Sequence, residues 1–301
     1  MSEVTQRHLR IAQALVWMVP ALWAVNFIVA RMAPGVIGPH LLALGRWGLA
    51  GTVLVAWSAA SLWRHRAHLR QAWWQYLVLG ACGMLVCGAW VYIGARSTTA
   101  VNMALIYAAA PVLIGMGSVL WLGEHFSRRQ LAGLLLALAG VLHVVLRGRW
   151  SVLSEVNFIT GDLWIMAAMV CWAAYALLQK AWASPLDATA RLAAICVGGV
   201  VTLLPFALWE AGQPGLTQWN LHALVLVLVA AVLPGLGAYW LYGWSQRIIG
   251  ASRVAVTLYL APLYSALAAW LLLDELPGWH HLVGATLILP GVFLVTQLRK
   301  H

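Results

Sequence analysis

Ten apolar stretches of about 20 residues dominate the chain, near 12–30, 40–62, 74–95, 99–122, 130–146, 162–182, 191–209, 221–242, 254–273 and 280–297. A helix rising 1.5 Å per residue needs about that many residues to cross a hydrocarbon layer roughly 30 Å thick. A membrane β-barrel would instead show segments of about 10 residues alternating between polar and apolar. The stretches here are longer and apolar on most faces, so they predict an all-α polytopic membrane protein of ten transmembrane helices. Composition agrees: 63% of residues are hydrophobic and 9% charged, too apolar for a water-facing globule. The connections are short and leave no room for a soluble domain. The first stretch has no small-residue cleavage site and is interrupted by Trp17, Pro20, Trp23 and Asn26, so it reads as a retained span.

The net charge of +10 would suit nucleic acid, but its placement argues for topology. With the N-terminus placed in the cytoplasm, 13 of the 18 basic residues fall inside, four fall outside and Arg46 lies within a span. This is the positive-inside bias. It predicts cytoplasmic N- and C-termini and no nucleic-acid partner. Cys82, Cys87, Cys171 and Cys196 lie within spans without metal-ligand spacing and read as small packing residues. Trp63, Trp73, Trp150, Trp219 and Trp279 stand at span ends, as interfacial belts require.

Superimposing the chain on itself at an offset of 151 residues aligns Arg96 with Arg247, Pro111 with Pro262, Glu124 with Glu275, Gly133 with Gly284 and Gly140 with Gly291. Over positions 96–141 this gives 14 identities in 46 positions without a gap. A weaker match at an offset of 149 pairs Trp23 and Ala24 with Trp172 and Ala173. The chain therefore divides into two five-helix repeats, 1–150 and 151–301, forming one integrated membrane domain. Five is odd, so the second repeat enters the membrane from the opposite side. Inverted repeats of this kind are typical of secondary transporters, which alternate access to a site near the midplane.

Catalytic signatures are missing. The sequence has no GxxxxGK[ST] phosphate loop and no HExxH, and His280 and His281 are adjacent rather than one turn apart. No carboxylate falls in the middle of a span, which disfavours a buried Asp or Glu relay for ion coupling. No cofactor or metal is expected, and an intramembrane enzyme is the disfavoured reading. Arg46, the one charge well inside a span, either holds backbone carbonyls between helices or meets a substrate carboxylate. Gly45, Gly48 and Gly51, and the seven-residue pairs Gly133/Gly140 and Gly284/Gly291, suit close helix packing. Pro111 and Pro262 occupy equivalent repeat positions and are expected to act as paired hinges. Around these kinks, Asn26, Trp90, Tyr92, Tyr107, Trp172, Tyr175, Tyr239 and Tyr259 are candidates to wall an apolar, aromatic cavity for a small amphiphilic solute.

The stretches LWAVNFIVAR (22–31), AAAPVLIGMGSVLWLGEHFSRRQLAGLLLALAGV (108–141) and LAPLYSALAAWLLLDELPGWHHLVGATLILPGV (260–292), with Arg46 in the second span, resemble the EamA-type ten-helix branch of the drug/metabolite transporter superfamily. The resemblance covers essentially the whole chain. It implies a bacterial inner-membrane exporter of amino acids, related metabolites or toxic compounds, with the substrate between the repeats. Trp-Ala-Ala-Tyr at 172–175 and Tyr-Leu-Ala-Pro at 259–262 resemble the YddG-type exporters of aromatic amino acids. Ala108, Ala109 and Ala110 stand where that type carries further aromatics, which implies a broader cavity open to aliphatic amino acids. Efflux of other metabolites or cationic drugs is the competing transport reading.

Overall fold

The computed structural model describes residues 3–157, 159–273 and 276–297. Among these residues there is no strand, and ten helices are long and apolar enough to cross a membrane: α1 Gln6–Ala30, α2 Pro39–Arg64, α3 Trp73–Ala95, α4 Asn102–Leu120, α5 Arg128–Val145, α6 Thr160–Ala181, α7 Ala188–Ala211, α8 Leu221–Ile249, α9 Ala251–Ala268 and α10 Trp279–Thr296. The fold is the expected all-α polytopic one. Its outer surface is apolar and aromatic, with Trp57 83% exposed and Leu120 81% exposed. A surface of that kind is compatible with lipid and not with water. Trp63, Trp73, Trp150, Trp219 and Trp279 are all exposed at or beyond helix ends, where an indole can meet both phases.

Short polar caps set several helix starts. Ser127 accepts from the Gln130 amide at 3.3 Å while the Gln130 side chain accepts from the Ser127 amide at 2.9 Å, a reciprocal box that opens α5. Asp187 and Asn220 do the same work one-sidedly for α7 and α8, each accepting an amide at 2.9 Å. Two helices run further than their apolar stretches. The helix α8 continues through Ser245, Gln246 and Arg247 to Ile249 because its polar residues find acceptors inside the bundle: Gln246 donates to the Ala176 carbonyl at 2.6 Å and Arg247 to that of Leu186 at 2.7 Å. The helix α1 begins at Gln6, ahead of its apolar stretch, and within that stretch Gln13 donates to the Thr296 carbonyl at 3.2 Å.

The elements of the two halves correspond closely in position. The helical segment Ala100–Ala108 is followed by a break at Ala109 and a restart at Ala110. In the other half Ala251–Val256 passes into a 3₁₀ turn, Thr257–Leu260, and the helix resumes at Ala261. Both restarts lie one residue before the paired prolines, Pro111 and Pro262. The helix α5 and the helix α10 begin and end at positions that also differ by 151. In α3 the backbone winds as a π-helix over Ala81–Trp90, and in α8 over Ala231–Ala238. Glu275, the partner of Glu124 in the repeat, lies outside the described residues.

Glycine faces draw α5 and α10 together. A Cβ on Gly133 would stand 2.7 Å from the Gly291 carbonyl oxygen, and one on Gly140 would stand 3.0 Å from that of Gly284. The seven-residue spacing read from the sequence is thus a seam of backbone contact, the device by which helices associate when lipid removes the hydrophobic incentive. In α2, Gly45 meets Val227 of α8 and Gly51 meets Cys196 of α7, whereas Gly48 has open space beside it.

Candidate functional site

Four helices converge on a ring cluster at the centre of the bundle. Trp23 of α1 meets Trp172 of α6 edge-on with ring centroids 5.1 Å apart, and Tyr239 of α8 at 5.7 Å. Trp47 of α2 meets Tyr239 at 4.6 Å. Trp172 stacks on Tyr175 at 5.4 Å and touches Tyr242 at 5.1 Å. Edge-to-face contacts of this kind each add about 0.5–1.5 kcal/mol beyond the area they bury. Trp47, Trp172, Tyr175, Tyr239 and Tyr242 are all buried, so in this conformation the rings pack on one another. The Tyr239 hydroxyl donates to the Gly83 carbonyl at 2.8 Å, within the π-helical part of α3. The Trp47 indole N–H and the Tyr242 hydroxyl are buried without a partner among the described residues.

Arg46 adjoins this cluster. It sits seven residues into α2, about 10 Å from the helix start, and is 4% exposed. Its Nη1 donates to the Asn26 side-chain oxygen at 3.1 Å, and the Tyr92 hydroxyl donates to the same oxygen at 3.1 Å. The guanidinium carbon lies 4.4 Å from the centroid of Trp47 and 5.6 Å from that of Tyr239, over their faces. Tyr239 therefore belongs to both the aromatic cluster and the arginine network.

Of the candidates read from the sequence, Trp172, Tyr175 and Tyr239 come together in the ring cluster, and Asn26 and Tyr92 join Arg46. Trp90 pairs with Trp164 at 5.2 Å, apart from that cluster. Tyr107 is half-buried and packs against the same core without a described ring contact to the cluster. Tyr259 lies in a second core formed with α5 and α10, where its hydroxyl donates to the Ala108 carbonyl at 2.8 Å. Trp23, Trp47 and Tyr242 escape the sequence-derived list of site candidates. Trp23 had a signal available, since the repeat pairs it with Trp172, the very ring it touches. Trp47 and Tyr242 had none, because a chain with 19 Trp and 8 Tyr does not mark which of them face inward.

Polar groups near the helix ends are satisfied locally. Asp162 accepts from Asn102 at 2.8 Å, from the Ile159 amide at 2.8 Å and from Thr98. Glu210 of α7 accepts from the His40 ring at 2.9 Å and from the Leu41 amide at 2.9 Å, closing the start of α2. Glu124 accepts from the Ala251 amide at 2.9 Å and from the Ser252 hydroxyl at 2.5 Å, tying the segment after α4 to the start of α9. Among the described residues no group of three His, Cys, Asp or Glu side chains is placed to hold a metal ion.

Ten helices long and apolar enough to span a membrane among the described residues, with matching segments in each half and a polar-aromatic centre, define a polytopic membrane protein. The profile of the EamA-like transporter family matches residues 11–146 and again residues 159–297. The chain belongs to that family. It is 28% identical to a protein of Archaeoglobus fulgidus described as an uncharacterized transporter, over 91% of this chain and 93% of that one. It is 27% identical to the uncharacterized transporter YyaM of Bacillus subtilis, over 89% and 87%. A protein of Streptantibioticus cattleyicolor described as a "probable terminal-alkyne amino-acid exporter" is 25% identical over 91% and 90%. A solved crystal structure superimposes with a TM-score of 0.75 at 20% identity, covering 95% of this chain and 96% of that one, which speaks to the fold alone.

Proposed function

We propose that the protein exports neutral amino acids, aromatic ones and others, across a bacterial inner membrane by alternating access, with both termini in the cytoplasm. The observation that carries this reading is the matched pair of interrupted helices: α4 at Ala109 and α9 over Thr257–Leu260 each depart from α-helical winding just ahead of an equivalent proline. Two inverted halves with equivalent weak points can exchange conformations, and the exchange turns an outward-facing site into an inward-facing one. Residues that the repeat relates also touch one another. Trp23 meets Trp172, and Tyr259 bonds to Ala108, so these pairs lie close to the two-fold axis on which a shared site would sit. The ring cluster supplies apolar surface for an amphiphilic body, and Asn26, Tyr92 and Arg46 supply polar groups beside it. The exporter of amino acids among the relatives supports the substrate class.

The test is uptake and counterflow of radiolabelled Phe, Trp, Met and Thr by purified protein in proteoliposomes, with and without a pH gradient and against protein-free vesicles. Saturable, competable flux that ignores the gradient is the expected result. A folded preparation that moves no amino acid would refute the substrate assignment and favour other metabolites or organic cations. Flux that rises linearly without saturating would refute the carrier mechanism.

A further inference from the structure

Among the described residues Arg46 is a buried cation without an anion. A guanidinium taken out of water is costly unless a counter-charge or a full set of hydrogen bonds replaces the solvent. Buried Arg191 and half-buried Arg253 show how this bundle meets that cost. Arg191 donates to the carbonyls of Gln179 at 2.5 Å and Trp182 at 2.8 Å, the negative end of α6. Arg253 donates to the Ile249 carbonyl at the end of α8, at 2.9 Å. Arg46 sits two turns inside α2 and donates to no described helix-end carbonyl. Its described partners are one neutral amide oxygen, already shared with Tyr92, and two ring faces, while its Nε, like those of Arg191 and Arg253, is buried with no acceptor.

The position of that guanidinium is built by the backbone. The π-helical segment of α8 brings Gly235 against it, and a Cβ there would stand 3.4 Å from both Cγ and Nε of Arg46. π-helical segments recur at functional sites because they re-aim backbone and side chains inside a helix. Asn26 and Tyr92, on the other side of the network, are only half-buried. Tyr239 connects the arginine to the ring cluster.

We propose that Arg46 is the receptor for a carboxylate of the transported solute, taken by the edge of the guanidinium that Asn26 leaves free. The inference rests on the transporter reading above and narrows its substrates to monocarboxylates, zwitterionic amino acids included, whose apolar or aromatic body extends toward Tyr239, Trp23 and Trp172. A planar carboxylate matches the fork of the guanidinium. A phosphate dianion would need further cations at this depth, and an organic cation would be repelled.

The experiment is a tryptophan-fluorescence titration of purified protein in detergent, with 3-phenylpropionate and its uncharged amide as probes, read as the change in the summed emission of the 19 tryptophans. Wild-type protein is expected to bind the acid saturably and the amide at least about thirtyfold more weakly. Arg46→Gln should bind the two alike. Asn26→Asp sets a fixed carboxylate beside the arginine, keeps the fold by pairing the buried charge, and should weaken the acid on the order of a hundredfold. Failure of wild-type protein to favour the acid, including failure to bind either probe, overturns the proposal. So does unchanged acid binding in Asn26→Asp. In proteoliposomes the two readings separate: acid binding without amino-acid flux sinks the exporter assignment alone, whereas amino-acid flux untouched by Asn26→Asp sinks the role of Arg46 alone.

Discussion

Tyr239 is where the two central networks meet. Its ring touches Trp23, Trp47, Trp172 and Tyr175, and its hydroxyl satisfies the Gly83 carbonyl. Tyr239→Phe keeps the ring and removes that hydrogen bond, so it should destabilise the protein by about 0.5–1.5 kcal/mol, seen as a lower thermal midpoint in detergent. Transport by this variant should persist if only the ring contacts solute. Trp172→Ala removes a large buried ring and should cost about 3–5 kcal/mol, together with most of the flux. Trp172→Phe should restore much of both, and a flux in Trp172→Ala equal to wild type at equal folded protein would remove Trp172 from the site.

At the scale of elements, the broken helices and the glycine seam call for opposite behaviour. Pro111 and Pro262 follow breaks that exist in both halves, and each lacks the amide that would continue the helix. Pro111→Ala and Pro262→Ala should therefore stiffen α4 and α9, leaving stability equal or higher while slowing transport several-fold in the counterflow assay. Flux unchanged in both variants would end the hinge reading. The seam between α5 and α10 is rigid by construction, since neither backbone has space for a side chain at Gly133 or Gly291. Gly133→Leu should prise these helices apart and abolish folding, read as loss of monodisperse protein on size-exclusion chromatography.

For the molecule as a whole, the contact of Glu124 with Ala251 and Ser252 joins the segment after α4 to the start of α9. If the halves exchange conformations, this contact must break in every cycle. A Glu124→Cys/Ser252→Cys pair, made with the four native cysteines replaced, should form a disulfide that stops counterflow, and a reductant should restore it. Continued flux through the cross-linked protein would show that this contact need not break. Much of this architecture was legible beforehand. The hydrocarbon thickness fixes the length of each apolar run, so ten spans could be counted. The recurrence of Arg, Pro, Glu and Gly at one offset exposed the duplication, because such residues rarely coincide by chance in so apolar a chain.

The sequence by itself determined the helices, their number and the singular status of Arg46, because each of these depends on local periodicity or on the cost of charge in lipid. Only the tertiary structure decided that Trp23, Trp47 and Tyr242 join Trp172, Tyr175 and Tyr239, that Trp90 and Tyr259 pack elsewhere, and that Arg46 has Asn26 for its partner. Those contacts link helices distant in sequence. In a span that is apolar on every face, nothing in the local pattern distinguishes the side that meets lipid from the side that meets another helix. The polar end of α8 was hidden for the same reason. Gln246 and Arg247 look like residues beyond a helix end until the carbonyls of Ala176 and Leu186 are there to receive them.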